Sequence, residues 1–200
     1  MANEAKKASV NAEDKMRANL YALLGNLLFQ RPSAQTLQSL TVLTGDNTEM
    51  GKAFNTLAKL AKSTDLQEVQ EEYDGLFIGM GRGELLPYGS YYLTGFLNEK
   101  PLAKLRNSMS DLSIERQEDV TEPEDHIGSL FEMMSGLILG NYGSPASIEK
   151  QKEFYSTHIE SWAGHFFSDL EAAKLSKLYQ PVGTIGRLFV EIESNAFSME

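Results

Sequence analysis

Three histidines, His126, His158 and His165, are the residues with which this chain could do metal or acid–base chemistry. A carboxylate-bridged metal pair in a helical bundle needs Glu-x-x-His on two helices, because that spacing turns both ligands toward one ion. Three residues before the histidines stand Pro123, Tyr155 and Trp162, so the pattern is absent. His158 and His165 could share a helix face, but two imidazoles without a local carboxylate are a weak metal pair, and packed helical histidines explain them as well. The chain has no cysteine, which removes disulfides, thiolate metal sites and thiol nucleophiles. Gly45 and Gly51-Lys52 approach a phosphate-binding loop, but five residues intervene where four are needed and Ala53 replaces the magnesium-binding hydroxyl. Gly79-x-Gly81-x-Gly83 approaches a dinucleotide loop with its third glycine one position early and no strand before it. No Gly-x-Ser-x-Gly elbow occurs. The expectation is no catalytic set, no metal site and no cofactor. A nucleotide- or small-molecule-binding helical enzyme using Gly79–Gly83 and His126 stays open as an alternative.

Two other clusters stand out. In Glu71-Glu72-Tyr73-Asp74-Gly75-Leu76-Phe77, the side chains of Tyr73, Leu76 and Phe77 fall at i, i+3 and i+4, on one helix face. Such a stripe either packs into a core with its acids solvated or lines an apolar groove. In Glu122-Pro123-Glu124-Asp125-His126, acids collect where a helix begins, and the positive end of the helix dipole accounts for them. The excess is nonetheless large: from Asp111 to Glu132 there are eight acids and one base, Arg116. A solvated loop is one reading. A groove with acidic flanks, receiving a peptide both basic and apolar, is the other.

The elements that must position these clusters are helical. From the cap Asn11, Met16, Leu20, Leu23, Leu24, Leu27 and Leu28 recur every three or four residues, and Pro32 closes that helix. Leu37, Leu40 and Leu43 predict a second helix, Met50 to Ala61 a third, and Leu66 to Phe77 a fourth capped by Asp65. Gly79 to Ser90 reads as a loop, with Ser90 capping a short helix through Leu97. Pro101 opens a helix through Met109. Thr121-x-x-Glu124 has capping-box spacing and predicts the next helix, ending at Gly140. One long helix is expected to carry Ile148 through Phe167, with Pro181 interrupting the pattern before a last amphipathic helix at Ile185–Ile192. No strand, repeat or low-complexity tract is evident. The fold class is therefore all-α: one bundle of roughly eight to ten helices over 1–200, with a possible hinge around 111–122.

The 200 residues suffice for one large domain with a real core. Eighteen basic against twenty-eight acidic residues leave a formal charge of −10, which disfavours nucleic acid and anionic membranes and favours a basic partner. The first twenty residues contain no apolar secretory core, and the longest stretch free of charge, Met133–Ile148, is too short to span a bilayer. A cytoplasmic protein without stable membrane insertion is the expectation.

In this order, Tyr73-x-x-Leu76-Phe77, Pro87-Tyr88-x-Ser90-x-Tyr92 and Glu122-Pro123-Glu124-Asp125-His126-Ile127, with the aromatic helix around His158 and Trp162, resemble the TorD/DmsD/NarJ family of redox-enzyme maturation chaperones, and most of all its TorD-like branch. The resemblance runs from about Leu20 to Phe189. It implies an all-helical cytoplasmic protein, monomeric or domain-swapped, with no obligatory cofactor and no enzymatic activity. Its partner would be the twin-arginine signal peptide and the apo form of a molybdopterin-dependent oxidoreductase of anaerobic respiration, held back from Tat export until its cofactor is inserted. Carried over by position, the peptide surface would use Tyr73, Leu76 and Phe77 with Glu122, Pro123, Glu124, Asp125 and His126, and Tyr88, Ser90, Tyr91 and Tyr92 beside them. Two departures stand out: Tyr73 where the family often has Trp, and Gly89 where it often has Glu. A helical assembly subunit without a signal-peptide role is a third reading.

Overall fold

Side-chain caps begin many of the helices, and Asn11 and Asp65 do so where the sequence predicts them. In the computed structural model, which describes residues 10–116 and 121–199, Asn11 accepts from the Asp14 amide at 2.7 Å and opens α1 (Ala12–Phe29). Ser33 does the same for α2 (Ala34–Leu40), Thr48 for α3 (Glu49–Ser63) and Asp65 for α4 (Leu66–Tyr73). A single π turn, Asp74–Ile78, extends α4. The chain continues through α5 (Gly89–Thr94), α6 (Lys100–Asp111), α7 (Ile127–Leu139), α8 (Ile148–His158), α9 (Glu160–Ala172) and α10 (Tyr179–Met199). Among the described residues there is no strand, only an isolated antiparallel bridge between Tyr88 and His126.

Helices α1 and α7 form the central pair, and α10 packs on α9 and α3. Their apolar faces meet in one core that includes Tyr21, Leu27, Phe131, Trp162, Phe166 and Tyr179. Gly186 sets the α9–α10 distance, because a Cβ there would stand 2.1 Å from the Phe167 ring. A polar staple crosses this core. Glu193 of α10 accepts from Arg17 Nε and Nη2, each at 2.8 Å, and from the Tyr21 hydroxyl at 2.9 Å. At 1% exposure, Glu193 is retained because each oxygen is satisfied.

Four expectations change. The single helix from Ile148 to Phe167 is two, broken at Ile159, where the Trp162 indole donates to the His158 carbonyl at 2.7 Å. Pro181 does not interrupt a helix; it stands in the first turn of α10, where a missing N–H costs nothing. Ser90 lies inside α5 instead of capping it, and α5 ends at Gly95 in the left-handed conformation. Helix α7 starts six residues after Thr121, at Ile127. The expected hinge around 111–122 lies partly outside the described residues, at 117–120.

Candidate functional site

The Tyr73 box is a packing device. Tyr73 and Leu76 are buried, and the Tyr73 hydroxyl donates to the Leu28 carbonyl at the end of α1. Phe77 is half-buried and meets Tyr73 and Tyr179 edge-on, with centroids 5.0 and 5.5 Å away. Burial, then the nearby Glu122 and Asp74 carboxylates, push the Tyr73 hydroxyl well above its usual range. The acids expected to be solvated are employed. Glu72 accepts the amides of Lys177, Leu178 and Tyr179 at 2.7–3.1 Å, and so caps α10. Asp74 pairs with Arg31. The expectation that Tyr73 and Leu76 line an open groove is therefore corrected: the stripe faces α1 and α10, which supply the apolar surface it needs.

The second box is a turn, not a first helical turn. The Gly89 amide donates to the Asp125 carbonyl at 2.9 Å and the Ile127 amide to the Pro87 carbonyl at 2.8 Å, which pins the 87–90 segment beside it. One Asp125 carboxylate oxygen takes the Ser90 amide at 2.7 Å and the Ser90 hydroxyl as well. His126 caps α7: its Nδ1 accepts from the Gly128 amide at 3.0 Å, while its ring lies edge-on to Phe29 and Tyr88. Burial holds the imidazole neutral and pushes its pKa down to about 3. Glu124 is buried between Arg106, at 2.9 Å, and Arg116. Burial alone would raise its carboxyl; the Arg106 hydrogen bonds win and hold it below its usual range. Each acid here has its own donor: the Tyr88 hydroxyl for Glu122, Arg106 for Glu124 and Ser90 for Asp125.

Of the expected peptide-binding residues, Ser90, Glu124, Asp125 and His126 are thus buried supports, with Tyr73 and Leu76. Glu122 is exposed and receives the hydroxyl of half-buried Tyr88. Pro123, Tyr91 and Tyr92 are partly exposed. Arg82 covers Tyr91, Tyr92 donates to Asp169 at 2.8 Å, and Tyr92 lies on the Trp162 ring. Gly89 fits against the same indole, 3.3 Å from where a Cβ would stand, so it serves packing as well as removing a charge. His126 is buried and used as a cap, so the enzyme alternative loses the imidazole it would place before a ligand. Among the described residues no group of three or more His, Asp or Glu could hold a metal ion, and no helix is long and apolar enough to cross a membrane.

A groove does exist, on the other side of Glu122. About 700 Å³ of space runs between α1 and α7 and the segment after α6, over Phe29, Met109, Ile114, Met133 and Leu139. Glu115, Glu122 and Glu132 stand along it, with Arg116. The sequence reading missed this floor, because its residues come from four separate elements. The acid excess from Asp111 to Glu132 was the signal that could have located it.

A family model described as nitrate reductase delta subunit matches residues 44–168. The chain belongs to this family. Within it, the chain is similar to the chaperone protein TorD of Vibrio cholerae serotype O1 (strain M66-2), 25% identical over 198 residues that cover 89% of this chain and 90% of the relative. It is also similar to the Tat proofreading chaperone DmsD of Haemophilus influenzae, 31% identical over 136 residues, 67% of this chain and 64% of the relative. The fold is that of a redox enzyme maturation protein from Archaeoglobus fulgidus, with a TM-score of 0.60 at 21% identity over 94% of this chain and 99% of that one. The matched residues cover both motif boxes and helices α3 to α8.

Proposed function

We propose that this chain is a system-specific maturation chaperone, not an enzyme, which holds the twin-arginine signal peptide of a molybdopterin-dependent oxidoreductase in the groove between α1 and α7. The supporting observation is the pairing of an apolar floor, Phe29, Met109, Ile114 and Met133, with the carboxylates of Glu115, Glu122 and Glu132. A signal peptide carries adjacent arginines followed by a modestly apolar stretch, and this groove is complementary to both. The relatives' chaperone names support the same reading. Exposed charge pairs contribute about 0–1 kcal/mol each, whatever apolar surface the peptide covers adds ~25 cal/mol per Å², and the acids set orientation and association rate. Micromolar binding, about −8 kcal/mol, holds the peptide and still releases it. The site is a cytoplasmic one in this reading, and the protein acts as a monomer or a domain-swapped dimer.

The test is calorimetry with the signal peptide of a molybdoenzyme encoded beside the gene. Glu122→Lys with Glu132→Lys should weaken binding about tenfold or more, and a lysine-for-arginine peptide should bind less well to the native chain. Unchanged affinity in both experiments would remove the groove from the proposal. A pull-down that recovers folded exported enzyme in place of unprocessed precursor would favour the assembly-subunit reading.

A further inference from the structure

The groove between α1 and α7 has two chemically different ends. The two helices run antiparallel: Gly25 packs between Gly128 and Glu132, and Phe29 packs against Gly128 and His126, so the end of α1 meets the start of α7. Glu122 and Glu124 line the groove at this end, with Glu115 beside the Arg116 that reaches Glu124. Glu124 is taken by Arg106 and Arg116. Glu115, Glu122 and, further along α7, Glu132 are exposed and stand in no ion pair among the described residues. Beyond Glu132 the lining continues through Met133 and Leu139 to Asn141 and Tyr142 and holds no charged side chain, and neither does the α1 wall. From Ser129 to Leu139 is about 15 Å of helix axis, so the charge lies toward one end of the groove. Tyr142 marks the other end. Its ring folds back on α7, 2.5 Å from where a Cβ at Gly136 would stand. Tyr142 also lines a polar cavity of about 320 Å³, together with Ser113, Ser144 and Ser147, in which Lys150 offsets the one acid, Asp111.

We infer that the groove has a fixed polarity. The arginine pair of its peptide lies at the start of α7 beside Glu115 and Glu122, the apolar stretch runs past Met133 toward Leu139, and the residues that follow leave past Tyr142 over the polar cavity. This rests on the groove reading and adds to it a direction and a place for the rest of the partner. The cause is electrostatic. A peptide laid the other way keeps its apolar contacts, but its arginines reach a wall with no carboxylate. Exposed ion pairs are individually weak. Direction, however, is decided by the difference between two placements in one groove, and here the pairs are gained or lost together. The body of the oxidoreductase follows its leader in sequence, so it stands at the Tyr142 end, against Ser144, Ser147 and Lys150, and away from both motif boxes.

The chain has no cysteine, so a nitroxide can be placed on the peptide alone. The signal peptide of the molybdoenzyme encoded beside the gene carries one label through a single cysteine, either just before the arginine pair or just after the apolar stretch. Each form is bound to the ¹⁵N-labelled full chain, whose amide peaks lose intensity steeply with proximity to the nitroxide. The first label should bleach Gly128 and Ser129 and spare Gly140 and Asn141, about 18 Å away along α7. The second should do the reverse. The mirror-image pattern, or equal loss at both ends with each label, overturns the polarity and leaves the groove reading standing. Loss at neither end removes the groove itself, and the polarity with it. Glu115→Gln/Glu122→Gln changes two exposed side chains and should blunt the contrast between the ends. A contrast as sharp as in the native chain would overturn the electrostatic cause.

Discussion

The two motif boxes reach burial by opposite routes. The Tyr73 box buries rings and a leucine against α1 and α10, and its stabilisation scales with apolar area. The box from Glu122 to His126 buries acids and an imidazole, and each survives only because a specific donor or helix end meets it. Apolar packing degrades gradually when trimmed. A satisfied polar turn fails in steps, because removing one partner strands the other.

The largest effect should come from the apolar side. Leu76 is fully buried, and Leu76→Ala should cost about 2–5 kcal/mol in denaturant unfolding, while Phe77→Ala, at a half-buried site, should cost clearly less. Equal losses would mean that the exposure gradient across the box carries no energetic weight.

The polar side predicts a pH dependence below neutrality that the apolar side lacks. His126 titrates at about 3 in the fold against about 6.5 in the unfolded chain. Between those values the unfolded state binds the extra proton, so stability falls as pH falls through this window and is whole above it. From neutrality to pH 5 the loss from His126 should be about 2 kcal/mol. His158, lowered to about 4, acts in the same direction. His126→Asn keeps a capping acceptor without the titration, and it should flatten the profile measured by unfolding at pH 7 and pH 5. A profile unchanged in that variant would assign the dependence elsewhere.

Asp125→Ala sharpens the comparison next. It leaves the buried Ser90 amide without its acceptor, a cost of about 1–3 kcal/mol. Ser90→Ala should cost less, since it removes only the hydroxyl donor. If the two losses match, the backbone contact adds nothing and the turn is held by its carbonyl bonds alone.

What was legible in the sequence follows the same division. Apolar periodicity and caps such as Asn11 and Asp65 are local signals, and they placed the helices within a few residues. The start of α7 was misplaced because Thr121 and Glu124 satisfy a local capping rule, while Arg106, eighteen residues upstream, draws Glu124 away from it. The break at Ile159 depends on which carbonyl the Trp162 indole finds, which spacing does not record. Spacing put Tyr73, Leu76 and Phe77 on one face but could not say whether that face met solvent or α10. Glu122 stands near enough to Tyr73 to raise the pKa of its hydroxyl, yet the groove beside it is lined by Phe29 and Met133, which no motif marks.

The smallest effect on stability should accompany the most informative effect on binding. Glu122 is exposed and accepts the Tyr88 hydroxyl. Glu122→Gln keeps an acceptor for that hydroxyl and removes a charge, so unfolding should change by less than about 0.5 kcal/mol. Without the carboxylate, the rim of the groove loses part of its attraction for arginine, and this should appear mainly as slower association that varies with ionic strength. Stopped-flow mixing with a labelled signal peptide at low and high salt separates the cases. If association slows only at low salt, Glu122 belongs to the steering rim. If dissociation quickens at both salts, it is a direct anchor. If neither rate moves, Glu122 serves Tyr88 alone, and the second box is wholly a structural turn, with no binding role at its exposed end.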